Sequence, residues 1–330
     1  AVLEKTLGVP LFQEQAMKIA IVGAGFSPAR ADQLRRAMAT FKRNGDLPQF
    51  RAEFLEGMAR NGYDPGFAER CFRQLEGFGT YGFPESHAAS FAHLVYISAW
   101  IKCHHPAVFA AALLNSQPMG FYAPAQIVRD AREHGVRVLP VDVTRSDWDC
   151  TLEAGALRLG LRQVSGLSEA AGRRIAAARP FRDLPELVRR AGLDRRAVEQ
   201  LAEADALRGL GLDRREALWA AAAVEGEVAL DAPVREAAPR LPLPSAGERV
   251  VLDYASTGLT LGPHPLALLR PRLAAMRCSD TRALAGARQG AWLRVAGLVL
   301  VRQRPGSAKG VMFFTLEDEH GTANLVLYAD

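Results

Sequence analysis

At 330 residues, 49 % of them hydrophobic, the chain carries enough apolar mass for two or three packed domains. Its formal charge of +5 comes almost wholly from arginine, with lysine only at positions 5, 18, 42, 102 and 309. No apolar run approaches a membrane span without Lys, His or Arg, and no signal-peptide pattern opens the chain. Cysteines 71, 103, 150 and 278 lack CxxC spacing, which excludes a disulfide scaffold and fits reduced thiols in a cytoplasmic protein. The charge invites nucleic acid but does not establish it, because arginine-favouring codons give the same total. Ala1 in place of Met, and a strand-like run ending at Asp330, read as a segment cut at both ends.

Taken in order, residues 1–22 predict a short strand near Val9–Phe12 and a helix from Gln13, with Gln13, Glu14 and Gln15 suited to structural polar contacts. A second helix over 28–43 has Asp32 near its start and basic residues toward its end, the order the helix dipole favours. Arg35 and Arg36 point about 100° apart on it. One can face a cleft while the other flanks it, or both can line a solvated face. Gly45 and Pro48 break the helix, and 49–60 and 65–76 predict two more around Asn61-Gly62-Tyr63-Asp64-Pro65. Gly77, Gly79 and Gly82 then set Tyr81 in a glycine-rich aromatic loop. Ser86 suits an N-cap for an apolar helix, His87–Ile101, with no broad polar face, so that helix should be buried in a larger body. Pro106 fits the first turn of a following helix that reaches Leu114. His87, His93, His104 and His105 beside Cys103 do not make a metal set, since six helical residues turn a ligand about 240° away.

The run YGFPESHAASFAHLVYISAWIKCHHPAVFAAALL, Tyr81 to Leu114, resembles the fingers motif of C-family bacterial DNA polymerases, the replicative alpha-subunit type. Pro84 and Glu85 stand where that family usually has asparagine and lysine, which resembles its error-prone, damage-tolerant branch. Upstream, ADQLRRAMATFKR resembles the family's fingers helix, and VPLFQEQAMKIA its strand-plus-helix segment. The resemblance implies that Arg35 and Arg36 contact the incoming nucleotide's triphosphate, with Lys42 and Arg43 beyond them where the family often has lysines. Arginine's planar fork suits phosphate oxygens during phosphoryl transfer. It implies Tyr81, Ser86 and His87 as the loop residues on the nucleotide side, His87 either approaching the nucleotide or ordering the loop. It also implies palm aspartates holding Mg2+, and neither is here. Asp147 and Asp149 flank Trp148 in the exit from the fingers, where the family has no catalytic pair. No catalytic residue and no metal ligand is therefore assigned.

Beyond the fingers, Pro124 to His134 predicts a helix capped by Gly135, followed by a strand in VRVLPVDV and a β-like connection over 146–159. Residues 157–219 hold 13 arginines against nine acids. Val164-Ser165-Gly166-Leu167-Ser168 interrupts two helical patterns and leads to a helix ending near Ala178, the form of a helix-hairpin-helix. Its glycine lets backbone amides approach a phosphate. A second copy follows: helix Leu184–Arg190, hairpin Ala191-Gly192-Leu193-Asp194, helix Arg195–Leu207. Val164, Gly166, Ser168, Arg173, Arg174, Gly192 and Arg195 are the predicted DNA-contact set. The first hairpin is the expected phosphate cradle, because the Asp194 carboxylate opposes one in the second.

Residues 221–248, rich in Ala, Pro and Glu, predict a linker with at most short helices. The absence of glutamine there argues against direct sliding-clamp binding, and GLTLGPHP at 258–265 resembles the family's lead-in to its last domain. Residues 291–330 alternate as three strands with turns at Arg304–Gly310 and Asp318–Gly321, which resembles the start of an OB-fold. Arg302, Arg304 and Lys309 flank the first turn as single-strand contacts, and Phe313 and Phe314 face opposite ways.

The fold class expected is mainly α with a C-terminal partial β-barrel: fingers over 1–145, tandem helix-hairpin-helix over 146–222, linker and lead-in over 223–285, OB start over 286–330. The resemblance implies a portion of an error-prone, translesion DNA polymerase that binds primer–template DNA and deoxynucleoside triphosphates alongside accessory translesion proteins, and does not polymerise alone. The alternative is a non-catalytic DNA-binding adaptor of helix-hairpin-helix and OB modules. An adaptor has no reason to carry YGFPESHAASFA with LRRAM upstream.

Overall fold

The computed structural model describes residues 2–38, 47–77, 84–120, 122–222, 224, 242–306 and 310–328. The protein is mainly helical, with small three-stranded sheets in its later part. It forms two compact units, Ala1–Trp100 and Ile101–Asp330.

In the first unit a 3-10 turn, Glu4–Thr6, precedes α1 (Gln13–Ala24), α2 (Pro28–Met38), α3 (Leu47–Arg60), α4 (Pro65–Gly77) and α5 (Glu85–His104), whose last turn runs into the second unit. The strand expected at Val9–Phe12 shrinks to one bridge residue, Phe12. The cause is Gln15, whose Oε1 accepts the Leu11 and Phe12 amides and makes this stretch the entry to α1. Small residues on α1 (Ala16, Ala20 and Ala24) are buried and let α2 and α3 approach closely. Gly57 of α3 is the tightest contact: a Cβ there would lie 2.0 Å from the Ala24 carbonyl oxygen. Phe54, fully buried, packs between Phe26 and Phe72 at ring separations of 6.3 and 5.5 Å.

The helix expected to be buried is exposed. None of α5 is buried, and Phe91, Leu94, Val95, Ile97 and Trp100 all face solvent, with Tyr96 73 % exposed. Composition gave the helix, and among the described residues no element buries these side chains.

The second unit continues with α6 (Pro106–Asn115), α7 (Pro124–Glu133), and a small sheet of β1 (Val138–Leu139), β2 (Thr151–Glu153) and β3 (Ala156–Arg158). β3 is central, parallel to β1 and antiparallel to β2. Next come α8 (Glu169–Ala177), α9 (Leu184–Ala191), α10 (Arg195–Glu203) and α11 (Arg214–Ala222). One apolar core runs from Ala110 of α6 to Ala221 of α11, and so crosses the 145/146 division expected from sequence. Most of the expected linker lies outside the described residues, but its end and the lead-in are helical: α12 (Ala246–Thr257) and α13 (Pro265–Ala275). Ser245 and Glu248 form a reciprocal capping box at the start of α12, a signal present in the sequence as Ser-Ala-Gly-Glu.

The last sheet is an antiparallel meander of β4 (Leu298–Gln303), β5 (Met312–Asp318) and β6 (Gly321–Leu327). Phe313 is exposed and Phe314 half-buried, as strand alternation requires. Asp318 anchors the β5–β6 turn, accepting from the Thr281 amide and hydroxyl and from the His320 and Gly321 amides. Burial pushes this carboxyl up, but those bonds outweigh it and hold it below the ordinary carboxylate range. Stability from a depressed carboxyl is present above the unfolded value near about 4 and is lost as pH falls through the folded one. The melting temperature should therefore fall as acid is added below about pH 4, and the deficit of Asp318→Asn against the parent should shrink over the same range. A deficit that stays constant down to strong acid would contradict this role. Among the described residues no helix is long and apolar enough to cross a membrane.

Candidate nucleotide and nucleic-acid contact sites

On α2, Asp32 lies three and four residues before Arg35 and Arg36, so one carboxylate reaches both. Arg35 Nη2 stands 2.8 Å from Asp32 Oδ1, and Arg36 Nη2 2.8 Å from Oδ2. The Arg35 hydrogen bond is the main cause that holds the Asp32 carboxyl below its usual value. Two guanidiniums thus sit side by side around a single carboxylate, leaving an excess of positive charge on an exposed helix face. Both arginines are solvent-accessible, Arg36 with 75 % of its side chain exposed. Lys42, Arg43 and Tyr81 lie outside the described residues.

Ser86 is not the N-cap. The helix α5 starts at Glu85, which places Ser86 inside its first turn. The start is instead held by α1: the Glu85 amide donates to Glu14 Oε2 at 2.8 Å. Gln15 completes the arrangement by donating to Thr6 Oγ1 at 2.7 Å. Glu14 and Gln15 are thus the structural contacts their sequence suggested. Ser86 and His87 are both exposed on the first turn of α5, and the His87 ring packs at 4.3 Å from Phe91.

In the helical body of the second unit, Gly166 and Gly192 both adopt left-handed backbone, at φ 81° and 58°. Ser168 caps α8 by accepting from the Ala171 amide, and Asp194 caps α10 by accepting from the Ala197 amide. The first hairpin departs from expectation in three ways. The element before it is only a 3-10 turn, Leu161–Gln163, because the chain has just left β3. Val164 is buried in the core, so it supports the turn without meeting a ligand. The Ser165 amide donates to the Ser256 carbonyl of α12 at 2.7 Å.

The arginines are largely committed. Arg158 and Arg214 are buried, paired with Glu153 and Asp253. Arg162 and Arg179 hold Asp149 and Asp147 respectively, so the Asp-Trp-Asp carboxylates are each neutralised by an arginine. Arg173 pairs with Glu169, and Arg195 with Glu199, one helical turn away. Arg174, expected at the first hairpin, instead caps the second: Nε donates to the Ala191 carbonyl at 2.7 Å and Nη2 to Gly192 at 3.1 Å. Among the described residues Arg189 and Arg196 are exposed and without an ion-pair partner, and sequence reading passed over both. Each has an acid three residues away on its own helix, Glu186 for Arg189 and Glu199 for Arg196, but Glu186 pairs with Arg182 and Arg190 and Glu199 with Arg195. Arg302 and Arg304 are exposed at the end of β4 and just after it, while Lys309 lies outside the described residues. Among the described residues no three His, Cys, Asp or Glu side chains gather as a metal site, so the residues present do not fit one.

Two family models match along this geometry. Residues 1–62, with α1, α2 and α3, match the bacterial DNA polymerase III alpha subunit finger domain. Residues 135–217, from β1 into α11, match the helix-hairpin-helix motif. These matches align the chain with bacterial DNA polymerases of the DNA polymerase III alpha-subunit type. Within that class it is similar to the error-prone DNA polymerases. It is 58 % identical over 337 residues to that of Alkalilimnicola ehrlichii, covering 99 % of this chain and 33 % of the relative. It is 56 % identical over 344 residues to that of Azoarcus sp., covering 100 % and 32 %. With that of Pseudomonas fluorescens it is 56 % identical over 350 residues, covering 100 % and 34 %. The chain spans about a third of the length of these relatives.

Proposed function

We propose that this chain supplies the nucleotide-side and duplex-side contacts of an error-prone, DNA-directed DNA polymerase acting in translesion synthesis in the cytoplasm. Fingers residues Arg35 and Arg36, with Tyr81, Ser86 and His87 of the adjoining loop and helix, receive the incoming deoxynucleoside triphosphate. The helix-hairpin-helix body holds the primer–template duplex, and the β4–β6 sheet with Arg302, Arg304 and Lys309 contacts single-stranded template. The chemistry itself, with its Mg2+ ions and palm aspartates, lies with residues other than these. Accessory translesion proteins are further partners of the whole polymerase.

The observation that carries the reading is the Arg35–Asp32–Arg36 arrangement, lying in the part of the chain that matches the finger-domain model. A triphosphate brings more negative charge than one carboxylate and bidentate acceptors for both guanidiniums, so it can take them over from Asp32. The duplex part of the reading is tested by titrating the purified chain against a fluorescent duplex of unrelated sequence at several salt concentrations. Affinity should fall steeply with salt and be indifferent to sequence, because phosphate contacts release counterions. No binding at low salt, or binding that ignores salt, would remove the duplex role.

A further inference from the structure

We infer that duplex phosphates seat at the second hairpin, Ala191–Asp194, between Arg189 and Arg196, and that the first hairpin is a closed structural seam. The inference rests on the duplex-binding reading above and names where that contact is made.

The first hairpin is occupied. Its Ser165 amide already donates to the carbonyl of Ser256, a buried residue near the C-terminal end of α12. Carbonyls at a helix C-terminus carry partial negative charge, so Ser256 offers this amide the kind of acceptor a phosphate oxygen would. On the other side, the Gln200 side chain of α10 reaches the turn: a Cβ at Gly166 would lie 2.5 Å from its Nε2. The helix α12 that supplies this carbonyl is itself tied to α11: Asp253 pairs with buried Arg214 at 2.6 Å, and Glu248 lies 3.7 Å from Arg215. The hairpin nearer the sequence ideal is thus the one the protein uses internally.

The second hairpin keeps its charge. Arg174 reaches across to it and binds two neutral carbonyls, Ala191 and Gly192, so no carboxylate cancels its guanidinium. Arg189 precedes the turn on α9 and Arg196 follows it on α10, both exposed and unpaired among the described residues. Arg195 is balanced by Glu199 at 2.8 Å. The opposing carboxylate, Asp194, is engaged as the cap of α10. Arg174, Arg189 and Arg196, none of them ion-paired among the described residues, thus lie at or beside a turn whose backbone is exposed at Gly192. A phosphodiester backbone, with evenly repeated charges and no demand for base readout, is the ligand that fits such a patch.

The test is the same salt titration, run with the whole chain on three variants. Arg189→Gln with Arg196→Gln should weaken duplex binding about tenfold at low salt and reduce the slope of log affinity against log salt by about two. Both side chains are exposed and unpaired, so the double variant should melt like the parent. Replacing the same pair by lysine should restore most of the slope, since charge and not fork geometry dominates it. Arg173→Gln, beside the first hairpin, should leave the slope unchanged. If the parent binds and the glutamine pair binds with parental affinity and slope, or if Arg173→Gln alone abolishes binding, the second-hairpin assignment is wrong while the duplex role stands. A parent that binds no duplex overturns the duplex role and this assignment together.

Discussion

Replacing Arg35 and Arg36 together by alanine should lower kcat/KM for nucleotide incorporation by about a hundredfold or more. A charge-assisted hydrogen bond contributes about 1.5–3 kcal/mol net, and two such contacts to one triphosphate multiply in the rate constant. The setting is a chimera in which this chain replaces the matching third of the Alkalilimnicola ehrlichii error-prone polymerase, to which it is 58 % identical. The fold gives the substitution an unusual control. Both arginines pair with Asp32 on a solvent-accessible helix face, where ion pairs contribute little, so their removal should change the melting temperature only slightly. Duplex affinity should also be unchanged. An equal loss of duplex affinity in both single variants would reassign this helix to the template; full activity in the double variant would remove its nucleotide role.

Gly57→Ala should be among the most damaging small substitutions in the first unit, destabilising it by about 3 kcal/mol. Propensity alone predicts the opposite, because alanine is favoured over glycine inside a helix by about 1 kcal/mol. The packing decides it. The added Cβ would stand 2.0 Å from the Ala24 carbonyl oxygen and 2.8 Å from its carbon, backbone atoms that no rotamer change can move aside. To admit it, α3 must pull away from α1, which opens the core around Phe54, Met58 and Ala24. Gly62→Ala, at a turn with nothing within 4 Å but a φ of 79°, isolates backbone strain from steric contact. A melt in which Gly57→Ala equals or exceeds the parent would show that the helices separate freely.

How far the sequence could be read depended on whether a residue's role was local. Helix ends at Pro106, Pro124, Gly135 and Asp194 follow from capping chemistry and were legible, as were the three strands of the last sheet from their alternation and turns. The Asp32 clamp was also within reach, since i+3 and i+4 spacing makes it a local contact. Long-range partners were not. Nothing near Ser165 in sequence announces that Ser256, on a helix beginning after a stretch rich in Ala and Pro, will take its amide. Likewise Arg174 looks like a phosphate ligand beside Arg173 until α9 is seen to end against it. Sequence periodicity also could not tell that none of α5 would be buried among the described residues, because it measures composition around a helix and not what packs on it. The missed capping box of Ser245 and Glu248 is a different failure: its signal was in plain view, masked by the linker-like composition before it.

Primer extension by the same chimera tests the central claim most directly. Purified, and melting like the parent polymerase, it should extend a primer on undamaged template and past a template lesion that stops a high-fidelity polymerase. Extension should depend on added Mg2+. A folded chimera that binds the primer–template duplex with parental affinity yet adds no nucleotide would contradict the account, and would leave this chain as a nucleic-acid-binding module without a part in synthesis.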